Sequence, residues 1–201
     1  MKTTILTIFA IASLAMVNSN SAYANSNNND KEVSTVLNNV GNINKIEIHG
    51  NVELYVSDGS ADQVKVYNKY YSESALVQSR DGVLRISSYN NQKLVVWVTA
   101  NDLRAISAYD NAEVKSFGNL SKIELEVNLH NNATANLNLD AYRANVTVND
   151  NAKATLSGTV NDYCLKYASP ANVNAKDFAA VNSTTTLISN PEYKGSELAR
   201  L

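Results

Sequence analysis

Apolar and polar residues alternate along most of the chain from residue 43 onward. A period of two is typical of β-strands that bury one face. Turn signals stand at Gly50-Asn51, Asp58-Gly59 and Asp81-Gly82, and the last of these predicts a tight hairpin. Besides the segments on either side of Gly50, the strands predicted in this half are 63–70, 83–89 and 93–99. This half is therefore predicted to be an antiparallel or mixed β segment.

A repeated segment replaces this pattern from residue 104 onward. Nine-residue copies begin at Ile106, Val127 and Val146, and a weaker copy begins at Leu165. Their starts lie 21, 19 and 19 residues apart, which is the length of one turn of a β-solenoid. An echo of the repeat begins at Ile86, and the sequence leaves open whether it is a further coil or a coincidence of composition.

Each copy predicts two strands joined by a tight corner. The first residues of the copies are expected to stack as one inward column. An asparagine recurs at the corner and is expected to form a ladder of side-chain amides. The ladder residues are Asn111, Asn132 and Asn151. Small residues follow at Ala112, Ala133, Ala152 and Ala171, because the turn leaves little room. The predicted fold is all-β: a right-handed parallel β-helix, or solenoid, of about four short coils after the antiparallel or mixed segment.

The first residues predict export. Lys2 precedes an apolar run, and Ala22-Tyr23-Ala24 matches the pattern that signal peptidase reads. We interpret 1–24 as a signal peptide, 25–42 as a disordered tether, 43–195 as the β-solenoid domain and 196–201 as a C-terminal tail. The expected location is periplasmic, on the outer surface or secreted. No later apolar stretch is long enough to insert into a membrane.

Composition narrows the classes of function. The formal net charge is −2 and basic residues do not cluster, which argues against a nucleic-acid partner. Cys164 is the single cysteine, so no intramolecular disulfide is possible. Without a positioned histidine, it is interpreted as a bystander thiol.

Candidate chemistry is sparse. Asp110 and Asp150 are predicted to lie near each other on the corner face. Lyases and hydrolases built on β-helices use clustered carboxylates on one face of the solenoid, so the pair is a candidate for catalysis. Backbone geometry is the better explanation for these residues, because aspartate suits tight turns. With two histidines and no calcium-binding repeat, we expect no metal, no cofactor and no catalytic residue. The aromatic residues offer binding surface, and the candidate positions are Trp97 and Tyr109.

The order of these motifs resembles the head GIN domain family of putative autotransporter adhesins, found mainly in exported proteins of Bacteroidetes-type bacteria. The resemblance covers 43–195. It rests on the alternation through Gly50-Asn51, on Asp81-Gly82 with the strand after it, on Val96-Trp97-Val98, and on the coil repeats. The family usually has Ser-Gly-Ser-Gly at the corner, where this chain has Tyr109-Asp110-Asn111-Ala112 and its equivalents. Because aspartate and asparagine tolerate left-handed backbone, the fold is expected to survive this change.

The resemblance implies a β-solenoid head, a cell-envelope location and no established enzyme activity. The leading hypothesis is a non-catalytic, adhesin-like or scaffolding protein that binds protein or glycan at the cell surface. The alternative is a carbohydrate-active enzyme on a β-helix. Carboxylates clustered in a groove would favour the enzyme, and a shallow face of Asn, Thr and Tyr would favour binding.

Overall fold

A computed structural model describes residues 34–37, 40–68 and 75–188. Thirteen strands and one 3-10 turn make up the regular structure of these residues, which contain no α-helix. The strands of the first half are β1 Thr35–Leu37, β2 Lys45–Gly50, β3 Val52–Asp58, β4 Gln63–Tyr67, β5 Ala75–Arg80, β6 Val83–Ser88 and β7 Leu94–Ala100. Those of the second half are β8 Ala105–Ala108, β9 Glu113–Ser116, β10 Leu120–Leu129, β11 Thr134–Val148, β12 Lys153–Tyr167 and β13 Val173–Leu187. The all-β prediction is confirmed.

The strands form one curled sheet of mixed direction. Strand β2 pairs in parallel with β6 and β8, and strand β3 pairs in parallel with β7 and β9. Strand β4 pairs antiparallel with β1 and β7, and strand β5 pairs antiparallel with β6. Arg80 and Val83 face each other across Asp81 and Gly82, both of which have positive φ. The predicted hairpin and the predicted mixed first half are therefore both confirmed.

The long strands β10 to β13 each cover more than one side of the molecule. Three parallel ladders result, which we call first, second and third. The first ladder joins β6, β2 and β8 to the last residues of β10 to β13. The second ladder joins β7, β3 and β9 to the first residues of β11 to β13. The third ladder joins the start of β10 to the middle of β11 to β13.

The core is a set of columns that run along these ladders. Ile106, Val127, Val146 and Leu165 stand in consecutive register, as the repeat predicts. Their exposed fractions are 0%, 0%, 1% and 7%. Burial of such side chains is the main stabilising contribution, since each removes apolar surface from water. The predicted inward column is confirmed.

Two sequence interpretations need correction, at the tether and at Ala171, and the structure also places the echo at Ile86. Strand β1 lies inside 25–42, so the tether prediction is wrong for Thr35–Leu37, which pair with β4. The echo that begins at Ile86 lies in strand β6. Ile86 pairs with Ile48, whereas Ile106 pairs with Ile46, so the echo is shifted by two residues from the register of the repeat. Ala171 is exposed in the turn Pro170–Asn172, because the fourth copy replaces the corner by a 3-10 turn. The signal peptide and the 196–201 tail lie outside the described residues.

Candidate functional site

A group of aromatic side chains projects outward from the second ladder and from β4. Tyr55 of β3 and Trp97 of β7 are cross-strand partners, and their rings stack 4.8 Å apart at 22°. Phe117, which follows β9, packs at 5.2 Å from Trp97, and Tyr67 of β4 lies 6.3 Å away. These four residues are called the aromatic cluster. Trp97 lies at its centre, in contact with the other three rings.

The cluster presents apolar surface to solvent at one edge. The Phe117 side chain is 61% exposed, although it contacts Trp97. Tyr55, Tyr67 and Trp97 are half-buried because each covers part of its neighbour. Aromatic side chains of this kind supply large contact area with little loss of conformational entropy on binding. The arrangement is therefore suited to bind a flat or extended ligand on its surface.

A network of charged side chains borders the cluster. The Lys115 ammonium contacts the Glu53 carboxylate, lies 3.3 Å from Glu113 and sits 5.6 Å from the centre of the Tyr55 ring. Lys93 lies 2.5 Å from Glu113. Glu53 also accepts a hydrogen bond from the Tyr55 hydroxyl at 2.9 Å. The network thus places hydrogen-bond donors and acceptors directly beside the rings.

Hydrogen bonding displaces the pKa values in this network. The Lys115 ammonium lowers the pKa of Glu53, and the Lys93 ammonium lowers the pKa of Glu113. The Glu53 carboxylate in turn raises the pKa of Lys115, and it raises the pKa of the Tyr55 phenol. Each group is therefore held in its neutral-pH form, with both carboxylates and the ammonium charged.

Tyr109, the other predicted binding position, lies on the first ladder instead. Its ring stacks between His49 and His130, at 4.4 Å and 4.8 Å and within 7° of parallel. His49 hydrogen-bonds Glu47 at 3.1 Å, which lowers the pKa of that carboxyl. Because both ring faces of Tyr109 are covered, only its edge is available to a ligand. Tyr109 and Trp97 thus belong to separate groups.

The asparagines predicted as a ladder occupy the corner that follows the first ladder. Asn111, Asn132 and Asn151 are all exposed. The Asn132 amide donates to the Asn111 carbonyl at 3.4 Å, which is a long hydrogen bond. The alanines that follow, Ala112, Ala133 and Ala152, are fully buried.

A second column at this corner was not predicted as a ladder. Asp110, Asn131 and Asp150 have φ values of 62°, 59° and 55°. The backbone N–H of Gly50 donates to the Asp110 carboxylate at 3.0 Å. The backbone N–H of Asp110 donates to the side-chain amide oxygen of Asn131 at 3.2 Å, and the backbone N–H of Asn131 donates to the Asp150 carboxylate at 2.9 Å. We call Gly50, Asp110, Asn131 and Asp150 the left-handed column. The positive φ at this corner explains why aspartate occurs at positions 110 and 150.

Cys164 is half-buried and carries a free thiol. It lines a shallow polar groove of about 220 Å³ whose floor holds Arg143, Asn145 and Asp162. Arg143 lies 3.8 Å from Asp162 and 3.9 Å from Glu124, so its guanidinium is only loosely paired. Within the described ranges, no group of histidine, cysteine and carboxylate side chains is arranged to hold a metal ion.

Sequence reasoning identified Trp97 but missed its companions. Tyr55 and Tyr67 are outward residues of alternating strands, and that alternation was the available signal. What the sequence did not show is that β7 pairs with β3 on one side and β4 on the other.

No helix in the described part of the chain has the length and apolar character needed to span a bilayer.

A family model described as putative auto-transporter adhesin, head GIN domain, matches residues 42–190. Among solved structures, a putative adhesin from Bacteroides fragilis superposes with a TM-score of 0.69 at 17% identity, covering 79% of this chain and 77% of that chain. A putative adhesin from Parabacteroides distasonis gives 0.59 at 16% identity, with 77% of each chain covered. A putative lipid binding protein from the same species gives 0.56 at 12% identity, covering 77% of this chain and 78% of that one. These likenesses show the fold alone. No match to a curated protein was found.

Proposed function

Because the chain belongs to the head GIN domain family of putative auto-transporter adhesins, we propose that it is a non-catalytic, adhesin-like protein of the cell envelope that binds through its surface. Membership in an adhesin family implies an exported, surface-associated protein. The signal peptide at 1–24 would supply export, to the periplasm, the outer surface or the medium. The ligand is a protein or a glycan at the cell surface.

The observation that carries this proposal is the aromatic cluster beside a fixed charged network. Aromatic rings stack on the apolar faces of sugars and also anchor protein interfaces, because they bury large area with little entropy loss. Lys115, Glu53 and Glu113 stand beside the rings and are charged at neutral pH. Hydroxyls or amides of a ligand that covers the cluster would meet these groups. Of the two ligand classes, a glycan fits this combination better.

The charged carboxylates support binding over catalysis. A general acid needs a raised pKa, so that the carboxyl keeps its proton near neutral pH. The carboxyls of Glu47, Glu53, Asp102 and Glu113 have pKa values displaced in the opposite direction. Each displacement is caused first by a hydrogen bond from a neighbouring histidine, lysine or arginine. No observation favours the carbohydrate-active enzyme.

The finer description of the fold is part of the same proposal. We infer that the stacked layers wind as a right-handed parallel β-helix of about four coils. The parallel register of 21, 19 and 19 residues between Ile106, Val127, Val146 and Leu165 supports the coils. The right hand follows from the strong preference of parallel crossovers for that sense. Outward side chains of one ladder would then form a continuous face, on which the aromatic cluster lies.

Glycan-array binding of residues 25–201, followed by titration of any ligand found, tests the proposal. We expect Phe117→Ala to weaken binding roughly tenfold, the equivalent of about 1.4 kcal/mol. Phe117 is exposed, so its truncation leaves the core intact. Ile123→Ala is the matched control, because Ile123 is an 85% exposed apolar residue of β10, a strand that contributes no residue to the aromatic cluster.

A ligand whose affinity is unchanged by Phe117→Ala and by Trp97→Phe would show that the cluster is not the binding site. If the array gives no ligand, the same variants are tested for adhesion to immobilised cell-surface proteins. Equal loss of binding in Phe117→Ala and Ile123→Ala would point to a general surface effect and contradict the proposed site.

A further inference from the structure

Strand β13 leaves one edge of the sheet open. It is 15 residues long, and among the described residues it pairs with β12 alone. Its other side therefore presents a row of unpaired backbone N–H and C=O groups. Such an edge is a template for a further strand, and proteins usually keep it short, charged or interrupted by proline. Strand β13 has no proline and carries one lysine and one aspartate.

The core is incomplete at this end of the stack. Val146 is 1% exposed and Leu165 is 7% exposed, but Thr185, the next residue in their column, is exposed to solvent. In the third ladder Val160 is 3% exposed, whereas its partner Ala180 is only half-buried. The layer formed by β13 therefore has a partner below it and nothing described above it.

The first eight residues of β13 have a symmetric pattern of exposure. Val173, Ala175, Phe178 and Ala180 are half-buried, and the four residues between them are exposed. Read in either direction, the pattern of 173–180 is the same, with its centre between Lys176 and Asp177. The two consecutive outward residues, Lys176 and Asp177, coincide with an irregularity in the pairing of β13 with β12 between Thr155 and Ser157. Because this irregularity lies at the centre, two such segments placed antiparallel about it match inward residue to inward residue and outward to outward.

We propose that a second copy of this chain covers the open end, through antiparallel pairing of the two β13 strands about a two-fold axis between Lys176 and Asp177. In this register Val173 faces Ala180 of the second copy, and Ala175 faces Phe178. Each Lys176 faces Asp177 of the second copy. Apolar groups therefore meet apolar groups, and both cross-strand charge pairs are attractive.

The other free edges of the sheet do not offer this match. Strand β1 has three residues and β5 has six, and both pair antiparallel with the strand beside them. Both are shorter than the eight residues 173–180 that form the proposed pairing. A two-fold contact between identical ends closes on itself, so it gives a dimer rather than a fibre.

Sedimentation velocity of residues 25–201 between about 1 and about 100 µM tests the dimer, because a standard-size interface of moderate affinity dissociates in this range. We expect twice the monomer mass at the upper end. Lys176→Asp places two pairs of like charges across the axis, so the dimer dissociation constant should rise roughly fivefold to tenfold. Asp177→Lys should have a similar effect. The double variant K176D/D177K should restore the wild-type constant.

Both positions are exposed, so the charge changes leave the fold intact, and unchanged thermal melts of the single variants would verify it. Hydrogen exchange gives an independent readout, since amides of 173–180 should become protected as concentration rises. A monomer at every concentration would overturn the proposal. So would a dimer that is insensitive to Lys176→Asp, or one that the double variant fails to restore, because either result requires a different interface.

Discussion

At the corner after the first ladder, one residue takes a positive φ in each of four layers, at Gly50, Asp110, Asn131 and Asp150. A β-carbon is unfavourable there, and aspartate and asparagine tolerate it better than other residues because their short polar side chains bond locally. In this chain those side chains accept backbone N–H groups of the neighbouring layer instead, from Gly50 to Asp150. The left-handed column therefore satisfies donors that the parallel ladders leave unpaired. This explains why aspartate or asparagine, rather than glycine, occupies three of the four positions of the column.

Substitutions at Asn131 and Asn132 distinguish the left-handed column from the predicted asparagine ladder. We expect Asn131→Ala to destabilise the fold by about 1–2 kcal/mol, because it loses the hydrogen bond from Asp110 and forces alanine to positive φ. Asn131→Asp keeps the acceptor but places a third carboxylate between Asp110 and Asp150, so it should recover only part of this loss. Asn132→Ala removes one long, exposed hydrogen bond and should change stability by less than about 0.5 kcal/mol. Urea denaturation measures all three. Equal effects at 131 and 132 would contradict this assignment.

The charged network predicts the response to acid. The folded pKa values of Glu53 and Glu113 lie below their ordinary value of 4.5. Their contribution to stability is therefore fully present above that value and is lost as pH falls through the lower folded pKa. Glu53→Gln should make stability fall less steeply than in the wild type between about pH 5 and about pH 3. Chemical denaturation across this range checks the slope, and parallel slopes would show that the Lys115 contact contributes nothing.

Lys115 gives the corresponding prediction in alkali. Its pKa is raised above 10.5, so its contribution is present below that value and is lost as pH rises through the folded pKa. Lys115→Met should flatten the alkaline loss of stability, measured by urea denaturation above about pH 9.5. An unchanged alkaline limb in this variant would contradict the assignment.

At the scale of strands, local alternation and turn residues were sufficient to predict most elements. The repeat placed Val127 above Val146 because an inward residue must recur at one coil length, and the hairpin followed from Asp81-Gly82. Strand β1 was missed, since Thr35–Leu37 alternate too briefly to stand out and gain order only by pairing with β4.

Of the candidate site, Trp97 was predicted, but the rings around it are brought together by long-range strand pairing, which leaves no local signal in the sequence. The repeat predicted an amide ladder at Asn111, Asn132 and Asn151, whereas the side chains that accept backbone N–H groups of the next layer are those of Asp110, Asn131 and Asp150.

Val146 and Lys153 test the register of neighbouring layers. Val146 is buried between Val127 and Leu165, so Val146→Asp would bury an unpaired charge and should destabilise by several kcal/mol. Lys153 is exposed, and Lys153→Asp should change stability by less than about 0.5 kcal/mol. Thermal melts compare the two. Equally harmless substitutions would show that the layers are registered differently.

At the scale of the whole molecule, no layer is self-sufficient. Each of β11, β12 and β13 covers its inward face only through the strands next to it, so stability depends on contacts between adjacent layers. The rising exposure from Val146 to Thr185 shows the cost of ending such a stack. The proposed binding surface lies beside β3, β4, β7 and β9, where neighbouring strands are present on both sides.

Export of the whole chain gives a further test. The pattern ending Ala22-Tyr23-Ala24 predicts cleavage after Ala24, so that the mature protein begins at Asn25. Intact-mass spectrometry of protein from its native host, with N-terminal peptide sequencing, measures this directly. Native protein that retains Met1 would contradict both the signal peptide and the proposed envelope location.

The parallel register has a mechanical consequence. Hydrogen bonds between layers point along the stack, so a pulling force along that direction loads one layer at a time and peels the molecule like a zipper. From β8 to β13, successive layers hold 19 to 21 residues, as Ile106 to Val127, Val127 to Val146 and Cys164 to Thr184 show. At about 3.3–3.6 Å for each extended residue, every released layer would lengthen the chain by roughly 65 Å. In the proposed adhesin role, the chain would thereby yield in increments of similar length and dissipate the load before its attachment breaks.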